Sequence, residues 1–313
     1  MDQNSFSIII PMVGREQAFD DTLASILRGQ SAQCQIIVAH DGSYSDPYDL
    51  RREVAFVQTE NGSNDMAALL NAAIPYTTCP LTAIVRPGVQ LPEHWLDSIT
   101  SAFDDPSVGS VAVPVVDEAN PNRIAAGGIS LQAGLNRKLI GAGHRLKKRS
   151  VKKFRPLGPT LWACFYRTAL LKTVFPLCKY MEASYLDADI ALTARTLNLN
   201  CRWLPEVVAT THESKAIQAE AKQPHGRAAQ RATRRHGLSS GISGRLINAS
   251  FELLSSPLFP NMFPHAIGRL FPGHAQRDID FHNRVIDSAE DLTEHASTRI
   301  PAATANSPVR RAA

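Results

Sequence analysis

An α/β fold with a mostly parallel central sheet is the architecture this sequence predicts, on three observations. Short, continuous apolar runs recur between Phe6 and Val85, each stops abruptly at proline or turn-forming residues, and segments of helical periodicity stand between them. A strand buried on both faces shows no polar alternation, so such runs fit a parallel sheet covered by helices. Strand, helix, strand in succession then implies right-handed crossovers between parallel neighbours.

The first strand is Phe6 to Pro11, Phe-Ser-Ile-Ile-Ile-Pro, closed by its proline. A helix follows it, with Asp20, Asp21 and Thr22 as cap-type residues and Leu23, Ile26 and Leu27 on one face. Gln35 to Ala39 is the second strand, ended by the run His40-Asp41-Gly42-Ser43-Tyr44-Ser45-Asp46-Pro47, which is dense in turn formers. Val54 to Gln58 reads as a third strand, Asn64 to Ala73 as a helix and Leu81 to Val85 as a fourth strand. In open sheets of this kind ligands bind beyond the carboxyl ends of the strands. The loops at Pro11 to Arg15, Asp41 to Ser45 and Arg86 to Gly88 are therefore expected to face a common cleft.

Composition bounds the function classes. The chain has 313 residues, 44% hydrophobic and 20% charged, which is ordinary for a globular protein able to bury a real core. No apolar run approaches the roughly 18 residues of a membrane span. Met1-Asp2-Gln3-Asn4 lacks the basic start and apolar stretch of a signal peptide, so a cytoplasmic location is the expectation. Cys34, Cys79, Cys164, Cys178 and Cys201 are odd in number, scattered and without a C-x-x-C pair, which points to reduced, mostly buried thiols.

The net charge of +4 is unevenly spread: no Asp or Glu occurs from Ala119 to Met181, whereas Arg137, Lys138, Arg145, Lys147, Lys148, Arg149, Lys152, Lys153 and Arg155 crowd one stretch. That segment suits phosphates or anionic lipid, or is a solvated surface loop. Nucleic acid is not an expected partner, because only Phe154 interleaves the basic run with an aromatic ring.

A larger pattern links these pieces. Phe6 to Pro11, Arg15, Thr22-Leu23-x-Ser25-Ile26-Leu27 and Ile36-Ile37-Val38-x-x-Asp41-Gly42-Ser43 come in order, followed by Asn61-Gly62, Asn71 and Leu91-Pro92-x-x-Trp95-Leu96. Ala188-Asp189-Ile190-x-Leu192-x-x-Arg195 and His212 complete the set. A lone Asp-Gly-Ser turn is unspecific; the ordered set, over roughly residues 5 to 214, resembles the inverting family 2 glycosyltransferases with the GT-A fold. The resemblance implies a GT-A-like nucleotide-binding domain over 1–214. Its expected partners are a nucleotide-sugar donor and a carbohydrate or lipid-linked acceptor.

The resemblance also assigns roles. Asp41 takes the nucleobase position, where a carboxylate accepts a hydrogen bond from an imide N–H; alternatively it only closes an Asx turn. His40 stands where family members often carry another acidic residue. Pro11 and Arg15 belong to the first nucleotide-binding loop. Inverting transfer needs a base for the acceptor proton and stabilisation of the departing diphosphate. Aligning Arg195 and Arg202 with the family's helix puts Asp189 at the base position and Ala188 where Glu is usual, with Asp187 as the alternative if the register shifts by two. Both could instead serve only the positive end of that helix, expected over Ile190 to Leu199. His212, after a strand expected over Glu206 to Thr211, is either a metal or diphosphate ligand or a structural histidine.

One departure stands out. Where the family carries an Asp-x-Asp-like motif for Mg²⁺ or Mn²⁺, this chain has Arg86-Pro87-Gly88, which offers no carboxylate to a cation. Arg86 either replaces the metal as the positive partner of the diphosphate, or the domain binds nucleotide or glycan without turnover. Beyond Ser214, Lys215 to Gly237 reads as a basic helix, and Leu246 to Phe271 is apolar but broken by Pro257, Pro260 and Pro264. This helical extension over 215–296 either lies on an anionic membrane, making the protein peripheral and an assembly factor a third functional class, or packs on the catalytic domain. The composition of 297–313 is that of a disordered tail.

Overall fold

Alternate residues of the first apolar run feed two different cores, which is why the run has no polar alternation. In the computed structural model, which describes residues 6–13, 16–30, 34–44, 46–146, 151–223, 225–238 and 280–289, strand β1 (Phe6–Pro11) buries Phe6, Ile8 and Ile10 on one face and Ile9 on the other. β2 (Cys34–His40) sets Ile36 and Val38 against Ile37 and Ala39 in the same way. β3 (Val54–Gln58) and β4 (Leu81–Val85) occupy the segments the sequence marks for them.

The first core is covered by α1 (Glu16–Gln30) through Phe19, Leu23 and Ile26, and by α3 (Trp95–Ala102) through Trp95, Leu96 and Ile99. The second lies under α2 (Met66–Ala73), α4 (Thr168–Val174), α5 (Leu186–Thr196) and α7 (Gly226–Arg235). Each such buried aliphatic side chain contributes about 1.5–3 kcal/mol relative to exposure, so this three-layer packing carries the fold.

With β6 (Val108–Ala112), β11 (Ala163–Arg167) and β12 (Asn200–Trp203), the central sheet has the order β12-β6-β11-β4-β1-β2-β3. β11 runs antiparallel to β4 and β6, and the remaining pairings are parallel. A second sheet, ordered β5-β13-β7-β8, is built from β5 (Val89–Gln90), β7 (Val115–Asp117), β8 (Asn120–Ala126) and β13 (Ala209–Thr211), beside a hairpin of β9 (Ile129–Gln132) and β10 (Asn136–Leu139). These strands carry weak sequence signals: β8 is Asn-Pro-Asn-Arg-Ile-Ala-Ala and is exposed over its first four residues.

Two helices stand where one basic helix is expected, α6 (Ser214–Ala221) and α7, and Pro224 lies in the interval. α7 is no surface helix. Ala228, Ala229 and Ala232 pack into the second core with Ile190 and Ala191, and Arg231 and Arg235 are buried. A helical stretch over 280–289 adds Phe281 and Val285 to the same core. Among the described residues no helix is long and apolar enough to cross a membrane. The five cysteines are free thiols, with Cys34, Cys79 and Cys164 buried. Arg15, Lys147, Lys148, Arg149, the 246–271 segment and the 297–313 tail lie outside the described residues.

Candidate functional site

β4, β1 and β2 are parallel neighbours, so the residues ending them share one edge of the sheet. Pro11 closes β1 there, its carbonyl accepting a hydrogen bond from the Val13 amide at 2.8 Å. Asp41 follows β2. Its Oδ1 accepts from the Ser43 amide at 2.9 Å and from the Ser43 hydroxyl at 2.6 Å, forming the Asx turn. Those two hydrogen bonds, from the hydroxyl first, hold the Asp41 carboxyl below its ordinary pKa. Gly42 takes φ +102°, a conformation that favours glycine, and a Cβ there would meet the Gln58 amide nitrogen at 2.3 Å.

Arg86 follows β4 and lies over the Trp162 ring, its guanidinium carbon 3.9 Å from the ring centroid. The β4–β11 register explains this pair: Val85 faces Ala163, so the residues just beyond them, Arg86 and Trp162, are also opposed, and the Arg86 amide donates to the Trp162 carbonyl at 3.0 Å. Both side chains then converge on one carboxylate. Glu220, in the last turn of α6, accepts from Arg86 Nη1 at 2.5 Å and from Trp162 Nε1 at 2.9 Å. The ion pair is largely buried, with the two side chains 16% and 19% exposed.

The two aspartates of α5 part company. Residues two apart on a helix project roughly 200° from one another, so one helix serves two environments. Asp187 is paired with Arg137 through two hydrogen bonds, Nε to Oδ1 at 2.8 Å and Nη2 to Oδ2 at 2.7 Å. Burial pushes its carboxyl above the ordinary value against the pull of Arg137, and the Glu220 charge adds to the rise. Glu220 also acts on Arg137, so Asp187, Arg137, Glu220, Arg86 and Trp162 form one electrostatic network.

Asp189 faces away from that network. Its fully buried carboxylate accepts from Arg235 Nε at 3.0 Å, Arg235 Nη2 at 2.8 Å and His236 Nε2 at 2.9 Å. Burial alone would raise its pKa; the Arg235 charge and the His236 hydrogen bond outweigh it and hold the carboxyl well below the carboxylate range. Arg235 stacks in turn on Phe281, 3.6 Å from its ring centroid. The resemblance marks Asp189 for the base, with Asp187 as the alternative; both carboxylates are buried, Asp189 against Arg235 and His236 at the end of α7, and Asp187 against Arg137 in the network that includes Arg86.

His212 pairs with Glu118 at 2.6 Å on an exposed surface. Its neighbours tie the second sheet to the loop after β4: Thr211 Oγ1 donates to the Gly88 carbonyl at 2.8 Å, and a Cβ on Gly88, at φ +82°, would meet the Glu213 side chain at 2.8 Å. Arg86, Pro87 and Gly88, which follow β4, offer no carboxylate to a divalent cation. Among the described residues no group of three or more His, Cys, Asp or Glu is placed to hold a metal.

Sequence reasoning missed Trp162, Arg137 and Glu220. Arg137 lies 50 residues from Asp187, and Glu220 lies 134 from Arg86, so no local motif joins them. The one available signal was that the acid-free basic stretch contains Arg137. Of that stretch, Arg137 is buried in the site and Lys138 is exposed.

No family model matches the sequence, and no curated protein does. Solved structures do match by fold. One is the mannosyltransferase PcManGT from Pyrobaculum calidifontis, in complex with GDP-Man and Mn²⁺, at 13% identity and a TM-score of 0.52, covering 95% of this chain and 80% of that one. S. aureus TarS 1-349 in complex with UDP-GlcNAc matches at 16% identity and a TM-score of 0.52, covering 92% of each chain. GalNAc-T7 with UDP, GalNAc and Mn²⁺ matches at 10% identity and a TM-score of 0.57, this chain spanning 58% of that protein. At these identities the likeness establishes the fold: a GT-A-like α/β domain.

Proposed function

We propose that this protein transfers a sugar from a nucleotide-diphosphate sugar to an acceptor hydroxyl with inversion, in glycan or glycoconjugate synthesis. The observation that carries the reading is the Arg86 guanidinium at the carboxyl edge of a GT-A-like sheet, over the Trp162 ring and paired with Glu220, whose charge also acts on Asp187 of α5. The acceptor oxygen attacks the anomeric carbon as the bond from that carbon to the diphosphate oxygen breaks. The acceptor proton passes to a carboxylate, and the leaving diphosphate departs with the bonding electrons. Its charge meets Arg86, whose two-pronged donors suit phosphate. Asp187 is the residue we assign as base, because it shares the network of Arg86 and its raised pKa improves it as a proton acceptor. Asp41 contacts the base of the nucleotide, with Pro11 and Arg15 in the adjoining loop. A carbohydrate or lipid-linked acceptor completes the reading.

A screen of nucleotide-sugars for hydrolysis and for thermal stabilisation tests it, since a ligand of the folded state raises the melting point with its concentration. No stabilisation by any nucleotide-sugar sinks the proposal. Stabilisation without turnover would favour the second reading, a non-catalytic nucleotide- or glycan-binding relative, for which the occupied state of Arg86 already speaks. The burial of Arg231 and Arg235 gives the assembly-factor reading no support from α7.

Two further outcomes are expected. Asp41→Ala should weaken nucleoside and nucleotide binding alike, by roughly tenfold to a hundredfold, as the loss of a charged hydrogen bond implies. Equal affinity in calorimetry would remove Asp41 from the site. Diphosphate binding should survive EDTA and gain little from Mn²⁺, and Arg86→Ala should weaken binding of the nucleoside diphosphate far more than of the nucleoside. Strong dependence on Mn²⁺ would overturn the assignment of the diphosphate to Arg86.

A further inference from the structure

We infer that Glu220 is an internal stand-in for the phosphate group, and that Trp162 is the second donor of the diphosphate site. The inference rests on the reading that Arg86 receives the diphosphate and deepens it. Arg86 Nη1 and Trp162 Nε1 donate to the two oxygens of one carboxylate, at 2.5 Å and 2.9 Å, and the guanidinium carbon lies 3.9 Å from the indole ring centroid. Two convergent N–H donors, one from a guanidinium and one from an indole, can hold a pair of phosphate oxygens as well as a carboxylate. Here the carboxylate belongs to the chain itself.

Charge balance supports the exchange. The network holds two guanidiniums, Arg86 and Arg137, against two carboxylates, Asp187 and Glu220. Taking Glu220 away leaves one positive charge in excess in a largely buried site, which a phosphate oxygen can neutralise. Glu220 sits in the last turn of α6, so its departure requires movement of that turn and not of the sheet. The same departure lowers the negative potential at Asp187, because the Glu220 charge contributes to the rise in the Asp187 pKa. Donor binding therefore competes with Glu220 and resets the neighbouring carboxylate.

Titration calorimetry with inorganic pyrophosphate tests this on the full chain, without assuming a nucleotide. Glu220→Gln keeps the shape and an acceptor for Trp162 but removes the competing charge, and it should tighten pyrophosphate binding about tenfold or more. Arg86→Ala should abolish that binding in both backgrounds. Should Glu220→Gln bind pyrophosphate no better than the unmodified chain while Arg86→Ala still weakens it, the stand-in role is wrong and Arg86 keeps its assignment. Should Arg86→Ala change nothing, the assignment of the diphosphate to Arg86 fails as well. Tryptophan emission gives a readout on the unmodified protein: pyrophosphate should shift it, and Trp162→Phe should remove the shift. Saturable binding with no change in Trp162 emission would mean that Glu220 stays in place, which overturns the inference.

Discussion

Asp187→Asn should lower turnover by about 10²–10⁴ with donor affinity little changed, the range expected when a general base is removed. Asparagine keeps the size of the side chain and one acceptor for Arg137, so a correctly folded variant is a fair test. The pH profile discriminates further. Burial raises the Asp187 carboxyl, and a base works only when ionised, so the acidic limb of kcat/KM should lie above the ordinary aspartate value of about 3.9. The variant should lose that limb. Asp189→Asn should instead leave the turnover of the folded fraction within a small factor of the parent. If Asp189→Asn abolishes turnover at unchanged melting temperature while Asp187→Asn does not, the base is Asp189, and helix α5 must present that face to the acceptor.

The difference between these two carboxylates also shows what the sequence could and could not convey. Strands β1 and β4 were legible to the residue because burial on both faces makes a continuous apolar run, β3 keeps its expected bounds although it is a half-covered edge strand, and the turn after β2 was legible because Asp41, Gly42 and Ser43 have local conformational preferences. The edge of the sheet that gathers Pro11, Asp41 and Arg86 followed from strand order alone. The α5 carboxylates were visible as an acidic pair at a helix start, but choosing between them needs to know what covers each face of the helix. Arg137 comes from β10 and Arg235 from the end of α7, and neither position follows from spacing. The split of the basic segment after Ser214 into α6 and a buried α7 was hidden for the same reason: its arginines are partners of core acids and rings, a fact set by tertiary contact and not by periodicity.

Removing the Asp189 carboxylate should destabilise the protein strongly. Asp189→Ala leaves the Arg235 guanidinium buried without its bidentate acceptor and His236 without its partner carboxylate, and breaking a buried pair in this way costs about 3–5 kcal/mol. In thermal unfolding that corresponds to a fall of roughly 5–8 °C for a chain of this length. Replacing both partners, Asp189→Ala with Arg235→Leu, should recover much of the loss, because the leucine still packs on Phe281 and no charge is stranded. The pH dependence has a definite sign. The folded pKa of Asp189 is depressed below the unfolded value of about 3.9, so its contribution is present in full above that value and is lost as pH falls through the lower folded value. Asp189→Asn should therefore flatten the acid limb of the stability curve. A variant that matches the parent in melting temperature and in acid unfolding would show that the Asp189, Arg235 and His236 cluster does not fasten α7 to α5.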